Sequence, residues 1–389
     1  MKILYHHRTL SKDGQDVHIR EMITALRRRG HEVVIAEPAT TESSSFGSDG
    51  GFLSRLRAGL PRWVSELLEL VYSLVAYRRL RRVWLVEKPD LLYERYNLFL
   101  LAGVRLKKRF DVPFLLEVNA PLVHERERHG GLSLRGLARW AERRVWRSAD
   151  HVLPVTDVLA GHVSRGGVDG TRIRVIPNGV DRSRFTPDLD GSAFRAELGL
   201  DKRLVLGFTG FVRPWHGLGR VLDMMAANRN AADLHFLVLG DGPGLPELRE
   251  TARELGMSDR LTLHGLVERD RIASCVAAFD IALQPAVVDY ASPLKLFEYM
   301  ALGKAIVAPD QPNIREVLRH EDNALLFLEG DDESFKNALD RLCHDSALRR
   351  ALGAGARRTI EVGDYTWDGN ARRVEELAAA LLVRRQSRA

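Results

Sequence analysis

The stretch RLVLGFTGFVRPWHGLGRVLDMMAANRNAADLHFLVLGDGPGLPELRE (203–250) decides the fold. It opens on an apolar run of strand length, RLVLGFTG (203–210), and turns through a loop crowded with Arg213, Trp215 and His216. A helical pattern follows from about Gly217. A second apolar run, LHFLVLG (234–240), ends in the Gly-rich turn LVLGDGPG (237–244), and another helix starts near Leu245. Continuous apolar runs separated by helices specify parallel strands covered on both faces. Downstream the alternation continues through RLTLHG (260–265), DIALQPA (280–286), KAIVAP (304–309) and NALLFLE (323–329), with helices from about Arg269, Pro293 and Ile314. Upstream the same pattern runs through KILYHH (2–7), EVVIAEP (32–38), DLLYERY (90–96), PFLLEVN (113–119), HVLPVT (151–156) and RIRVIP (172–177). The expectation is an α/β chain of two Rossmann-like, doubly wound units in succession. PNGVDRSRFTPDLDG (177–191), rich in Pro, Gly and Asp, suits the linker between them. The last helical pattern, Trp367 to Arg385, could pack on either unit.

Composition agrees. A chain of 389 residues exceeds what one core usually serves. Hydrophobic residues at 45% and charged residues at 28% exclude a mostly disordered chain. Two cysteines, Cys275 and Cys343, exclude a disulfide scaffold and a Cys-rich zinc site, and read as reduced thiols of a cytoplasmic protein. No stretch reaches the roughly 18 to 20 uncharged apolar residues of a membrane span. The best candidate, Leu67 to Tyr77, is short and carries Glu69. MKILYHH at the start lacks the apolar core and cleavage site of a signal peptide. Residues 39–51, small and polar, read as a mobile loop.

Charge is divided unevenly. Residues 1–186 hold 32 Lys and Arg against 21 Asp and Glu, while the remainder holds 26 against 31. A basic first half suits an anionic partner. Residues 53–88 carry eight basic and three acidic side chains among Leu, Val and Trp. Two readings stay open for them: an amphipathic helix on an anionic membrane, or a sheet-flanking helix with a solvated basic face. The basic residues are spread over several helices without a nucleic-acid motif, so no nucleic-acid partner is expected.

In open parallel sheets, ligands bind at the carboxyl ends of strands. Gly14 follows the first strand and lets backbone approach a ligand ahead of a helix near Gln15. Neither GxGxxG nor GxxxxGK[ST] occurs there, which weakens a dinucleotide reading and excludes a P-loop. The segment DYASPLKLFEYMALGKAIVAPD (289–310) is more informative. Pro293 suits a helix start, and Lys295 sits in the first turn, where the helix dipole disfavours a cation. A lysine there needs an anion or good solvation. The helix start with Lys295 would hold phosphate oxygens, and Glu298 could accept from two vicinal hydroxyls. A plain amphipathic helix with solvated Lys and Glu reads equally well. In the loop 207–220, Arg213 could fork onto a diphosphate or be a surface residue.

Together these residues carry a resemblance. The chain resembles retaining glycosyltransferases of the GT-B fold, family four, over nearly its whole length. The marks are DGQDVHIREMITALRRRGHEVVI (13–35), RIRVIPNGVDRSRF (172–185), LVLGDGPG, HGLV (264–267) and SPLKLFEYMALGKAIVAPD (292–310). TWDGNARRVEEL (366–377) resembles the family's terminal helix, which crosses back onto the N-terminal domain. The resemblance implies an acceptor-binding domain over 1–182, joined by the helix 367–385, and a nucleotide-sugar domain over 183–366. It implies that Glu298 binds the donor ribose and that Ser292, Pro293, Leu294 and Lys295 lie on the phosphates. Gly14 and Gly240 would approach the donor, and Gly265 to Val267 would meet the base. Where the family pairs two Glu, the first position here is Tyr290, beside Asp289. The family's phosphate-binding Arg and Lys fall at Phe211 and His216, so Arg213 and Lys295 are expected to do the cationic work. The N-domain position near the reacting sugar falls at Asn119, in EVNAPLVHE (117–125), with His124 nearby.

The implied reaction moves a sugar from a nucleoside diphosphate to an acceptor hydroxyl with retention, in surface polysaccharide or glycoconjugate assembly. No metal or other cofactor is expected. The expected acceptor is a glycan or a lipid-linked glycan, handled by a cytoplasmic enzyme peripheral on the inner membrane face. A GT-B epimerase, a phosphorylase and a non-catalytic nucleotide-sugar-binding protein are the alternatives.

Overall fold

The structure, a computed structural model, describes residues 1–9, 14–37, 60–128, 131–227 and 233–387. The predicted loop 39–51 and the first part of the basic stretch 53–88 lie outside the described residues. Among the described residues, no helix is long and apolar enough to cross a membrane.

The chain forms two compact units. The first comprises Met1–Pro177, Tyr290–Ser292 and Trp367–Ala389, and the second Asn178–Asp289 and Pro293–Thr366. The chain thus passes into the second unit a few residues before the expected position 182. Tyr290 and Ser292, expected in the nucleotide-sugar domain, group with the first unit, where the Thr156 hydroxyl donates to the Tyr290 carbonyl at 2.9 Å.

In the first unit, β1 (Lys2–His6), β2 (Glu32–Ala36), β3 (Leu91–Arg95), β4 (Phe114–Val118) and β5 (His151–Pro154) make one parallel sheet in the order β2-β1-β3-β4-β5. Leu91, Leu92, Phe114, Leu115 and Leu116 are fully buried, as strands covered on both faces require. The predicted strand 172–177 is not one. Ile173 makes a single parallel bridge to Val152, and the N–H groups of Arg174 and Ile176 donate to Val152 and Pro154 at 3.0 and 2.9 Å. Pro154 has no N–H with which to return a bond, so the ladder cannot propagate. The C-terminal helix Trp367–Gln386 packs on the helix Gly14–Arg28, with Arg29 paired to Glu375 at 2.5 Å and His18 edge-on to Trp367.

In the second unit, β6 (Leu204–Thr209), β7 (Leu234–Leu239), β8 (Leu261–Gly265), β9 (Ile281–Leu283), β10 (Ala305–Pro309) and β11 (Leu325–Phe327) form a parallel sheet ordered β11-β10-β9-β6-β7-β8. Its two faces are covered by two apolar clusters, one around Phe279, Phe297 and Met300, the other around Phe208, Phe236 and Phe335. The boundary between the units, at Pro177/Asn178, falls at the start of the predicted linker 177–191, and the rest of that stretch belongs to the second unit. Val180 and Phe185 are buried in the first of those clusters, and the Val180 N–H donates to the Tyr365 carbonyl at 3.1 Å.

Candidate active site

In the second unit, the carboxyl ends of β6 and β7 meet backbone to backbone. Gly210 donates to Leu239 O at 2.9 Å, Val212 to Asp241 O at 2.8 Å, and Gly240 to Gly265 O at 2.8 Å. Gly240 has φ +145, and a Cβ there would stand 2.0 Å from the Gly210 carbonyl oxygen. The close approach that Gly240 permits is therefore to its own unit's backbone. Gly265, with φ +83, faces open space, whereas the Val267 side chain packs on the core.

This seam positions the cationic residues. The helix Leu294–Ala301 starts after Pro293, which stands at its N-cap, and its Tyr299 hydroxyl accepts from the Thr209 N–H at 2.9 Å. That bond holds the end of β6 against the helix. Lys295 is half-buried in the first turn, with Nζ 3.6 Å from the centroid of the buried Phe208 ring. Among the described residues it makes no hydrogen bond and no ion pair. Burial pulls its pKa from 10.5 down to about 7, and the charge of Glu298, three residues on, resists only in part. Glu298 is half-buried on the same helix.

His216 is buried, its ring 5.3 Å from that of Phe208. The Arg213 N–H donates to its Nδ1 at 3.1 Å, so Nδ1 is unprotonated and the ring hydrogen sits on Nε2. Burial first, then the charges of Lys295 and Arg213, lower its pKa to about 3. It is a neutral donor at any working pH. Arg213 is exposed, with its guanidinium 4.9 Å from the Phe211 ring centroid. Thus Gly210, Arg213, His216, Lys295 and Glu298 gather at one edge of the second sheet, where an anion would meet two cations and a helix start. Asp289 is exposed beside them in sequence, whereas Tyr290 is buried and Ser292 and Leu294 are half-buried.

In the first unit Gly14 is the exposed first residue of its helix. Asn119 and His124 go to different places. The Asn119 amide donates to Glu117 Oε1 at 2.5 Å, whereas His124 lines a cavity with its ring 5.4 Å from that of His162. Sequence reasoning missed what surrounds Asn119. Tyr93 donates to Glu117 Oε2 at 2.7 Å, His18 lies 3.0 Å from the same oxygen, and Arg95 pairs with Oε1. Burial alone would push Glu117 up, but the charges of His18 and Arg95 and their hydrogen-bonding neighbours hold it well below the carboxylate range. His6 Nδ1 lies 2.6 Å from Glu94 Oε2. The signal was present: charged residues close three otherwise apolar strand runs, at His6, Glu94–Arg95 and Glu117. Among the described residues, no three His, Cys, Asp or Glu side chains are grouped to hold a metal ion.

Comparison with known proteins adds the family. Residues 13–179 match the glycosyl transferase 4-like domain, and residues 191–359 match the glycosyl transferases group 1. The chain is 28% identical to a D-inositol 3-phosphate glycosyltransferase of Xylanimonas cellulosilytica, over 96% of this chain and 93% of the relative. It is 27% identical to the 2-deoxystreptamine N-acetyl-D-glucosaminyltransferase of Streptomyces fradiae, over 84% of this chain and 80% of the relative. In fold it is similar to sucrose-phosphate synthase of Thermosynechococcus elongatus, with TM-score 0.78 and 19% identity over 98% of this chain and 99% of that one. The Anabaena protein HepE, crystallised with UDP, gives TM-score 0.75 and 19% identity over 98% of this chain and 100% of that one.

Proposed function

The chain belongs to the group 1 glycosyl transferases, preceded by a glycosyl transferase 4-like domain, and from that premise we propose that it transfers a sugar from a nucleoside diphosphate to an acceptor hydroxyl with retention. The observation that carries the reading is Lys295: a cation drawn out of water, without hydrogen bond or ion pair among the described residues, at a helix start beside Gly210. A cation so placed favours an anionic ligand, and the leaving diphosphate of a sugar donor is one.

In this reading the second unit binds the donor and the first binds the acceptor. Negative charge grows on the leaving phosphate as the sugar becomes oxocarbenium-like. Lys295, Arg213 and the Nε2–H of His216 stabilise it, and losing one such donor typically costs ~3 to 4 kcal/mol. Glu298 takes the ribose hydroxyls. The leaving phosphate accepts the acceptor's proton on the face that the nucleophile enters, which gives retention. No step calls on a metal.

A lipid-linked or membrane-borne glycan is our choice of acceptor. On the helix Arg62–Glu87, Trp63, Leu67, Val71, Leu74 and Val75 are exposed at helical spacing, and Arg78 and Arg82 continue the same stripe. Apolar wedges next to arginines suit an anionic bilayer surface.

A thermal-shift and calorimetric panel of UDP-, GDP- and ADP-sugars tests the donor reading, with NMR of the product anomer reporting retention. Stabilisation by a nucleotide sugar that is abolished in Lys295→Ala and Glu298→Ala is the expected result. Donor consumed without acceptor-linked product would point to an epimerase or hydrolase instead. Flotation with phosphatidylglycerol vesicles, against neutral vesicles, tests the surface; equal flotation in neither would remove it.

A further inference from the structure

The first unit holds a cavity that His124 lines. It sits among the helices Leu122–Arg128, Arg135–Ser148 and Asp157–Arg165 and has a volume of about 170 Å³. Its lining includes Glu142, Arg143, Trp146, His162 and Arg165.

Trp146 is 2% exposed, yet its Nε1–H is buried without an acceptor among the described residues. Leaving such a donor unmet costs roughly 1 to 3 kcal/mol unless a group from outside accepts. The indole is seated by Gly166, where a Cβ would stand 2.6 Å from its Cε3. Arg143 and Arg165 make neither hydrogen bond nor ion pair among the described residues, whereas Arg139 is already held by Glu127 at 2.7 Å. Two carboxyls line the cavity: Glu127, which is taken up by Arg139, and Glu142, which accepts from the Tyr96 hydroxyl at 2.9 Å and from the Val123 N–H at 3.3 Å. Burial raises Glu142 to about 7, so near neutral pH it carries only part of a charge. Two guanidinium groups, a spare indole N–H and the His124 imidazole therefore line one cavity, where Glu127 is already paired with Arg139 and Glu142 is partly neutral. Several donors around one small space match a group with three acceptor oxygens.

We propose that this cavity binds a phosphate group. Its source is either a phosphate carried by the acceptor or free phosphate acting from solution. Placing it on the acceptor rests on the division of labour proposed above; the affinity for phosphate does not.

The test is a titration of the intact protein with inorganic phosphate against chloride at matched ionic strength. It follows the indole N–H resonance of Trp146, assigned by its loss in Trp146→Phe. The resonance should move saturably. The double variant Arg143→Ala/Arg165→Ala, at two exposed positions, should weaken the phosphate Kd at least tenfold with an unchanged melting temperature. A resonance that does not move, or a double variant with the parent Kd, overturns the proposal. A phosphorylated acceptor whose KM rises in the double variant while kcat holds places the phosphate on the acceptor. An unchanged KM alongside weakened phosphate binding assigns the cavity to free phosphate. Failure of the phosphate titration with sugar-nucleotide binding intact removes this site alone; loss of sugar-nucleotide binding with the titration intact removes the transfer reading alone.

Discussion

Binding of a nucleoside-diphosphate sugar should take up a proton, and the reason is Lys295. In the free protein, burial has brought its pKa from 10.5 to about 7. A diphosphate beside Nζ reverses that preference, because an adjacent anion favours the charged amine. With a free-state pKa near 7, about nine-tenths of the molecules are protonated at pH 6 and about a tenth at pH 8. Affinity should therefore fall about tenfold between those values, worth roughly 1.4 kcal/mol. The diphosphate of a sugar nucleotide has no titrating oxygen in this range, so the slope belongs to the protein. Calorimetry at pH 8 in buffers of different ionisation enthalpy counts the protons, and close to one should enter per donor bound. Lys295→Met should abolish both uptake and slope. The same shift has a stability consequence of fixed sign. Between pH 7 and 10.5 the unfolded chain holds the proton and the folded chain does not, so this group makes the unliganded protein more stable as pH rises through that window. A donor affinity flat from pH 6 to 8.5 with no proton taken up would refute the reasoning.

Three further outcomes are expected. Glu117→Gln should lower unfolding free energy by roughly 3 to 5 kcal/mol in urea titrations at neutral pH, because Arg95 would be left buried without its charge partner. In the parent protein the stability from Glu117 is present above its ordinary pKa of 4.5 and is lost as pH falls below it, and the variant should lack that acid-dependent portion. Gly240→Ala should lower the melting temperature clearly, since the new Cβ meets a carbonyl oxygen 2.0 Å away rather than a movable side chain. The imidazole of His216 should show no titration between pH 5 and 8 by NMR, with the Nε2–H tautomer throughout, because its pKa is near 3; a midpoint near 6.5 would contradict the site's electrostatics.

Both sheets were legible in the sequence because buried parallel strands spell themselves as apolar runs. The exception is instructive. RIRVIP has the composition of a strand, but what stops it is Pro154 on the neighbouring strand, a pairing that no local window contains. The stretch 177–191 does hold the boundary between the units, but its packing was not legible: Val180 and Phe185 are two apolar residues among turn formers, and only the fold brings a core to them. At the site, Lys295 and Glu298 were readable because a cation in a first helical turn is out of place. The partners that set its chemistry were not readable, since Phe208 and His216 come from another strand and its loop. His124 looked like a companion of Asn119 because they are near in sequence, yet the helix Leu122–Arg128 carries it to His162 instead.

The first unit is discontinuous: its last helix, Trp367–Gln386, is made after the whole of the second. During synthesis on the ribosome, the second unit can complete its sheet while the first still waits, with the face of Gly14–Arg28 that receives Trp367 uncovered. A chain stopped at Thr366 should therefore yield one sound half and one half prone to aggregate or to chaperone capture, however early its residues left the exit tunnel.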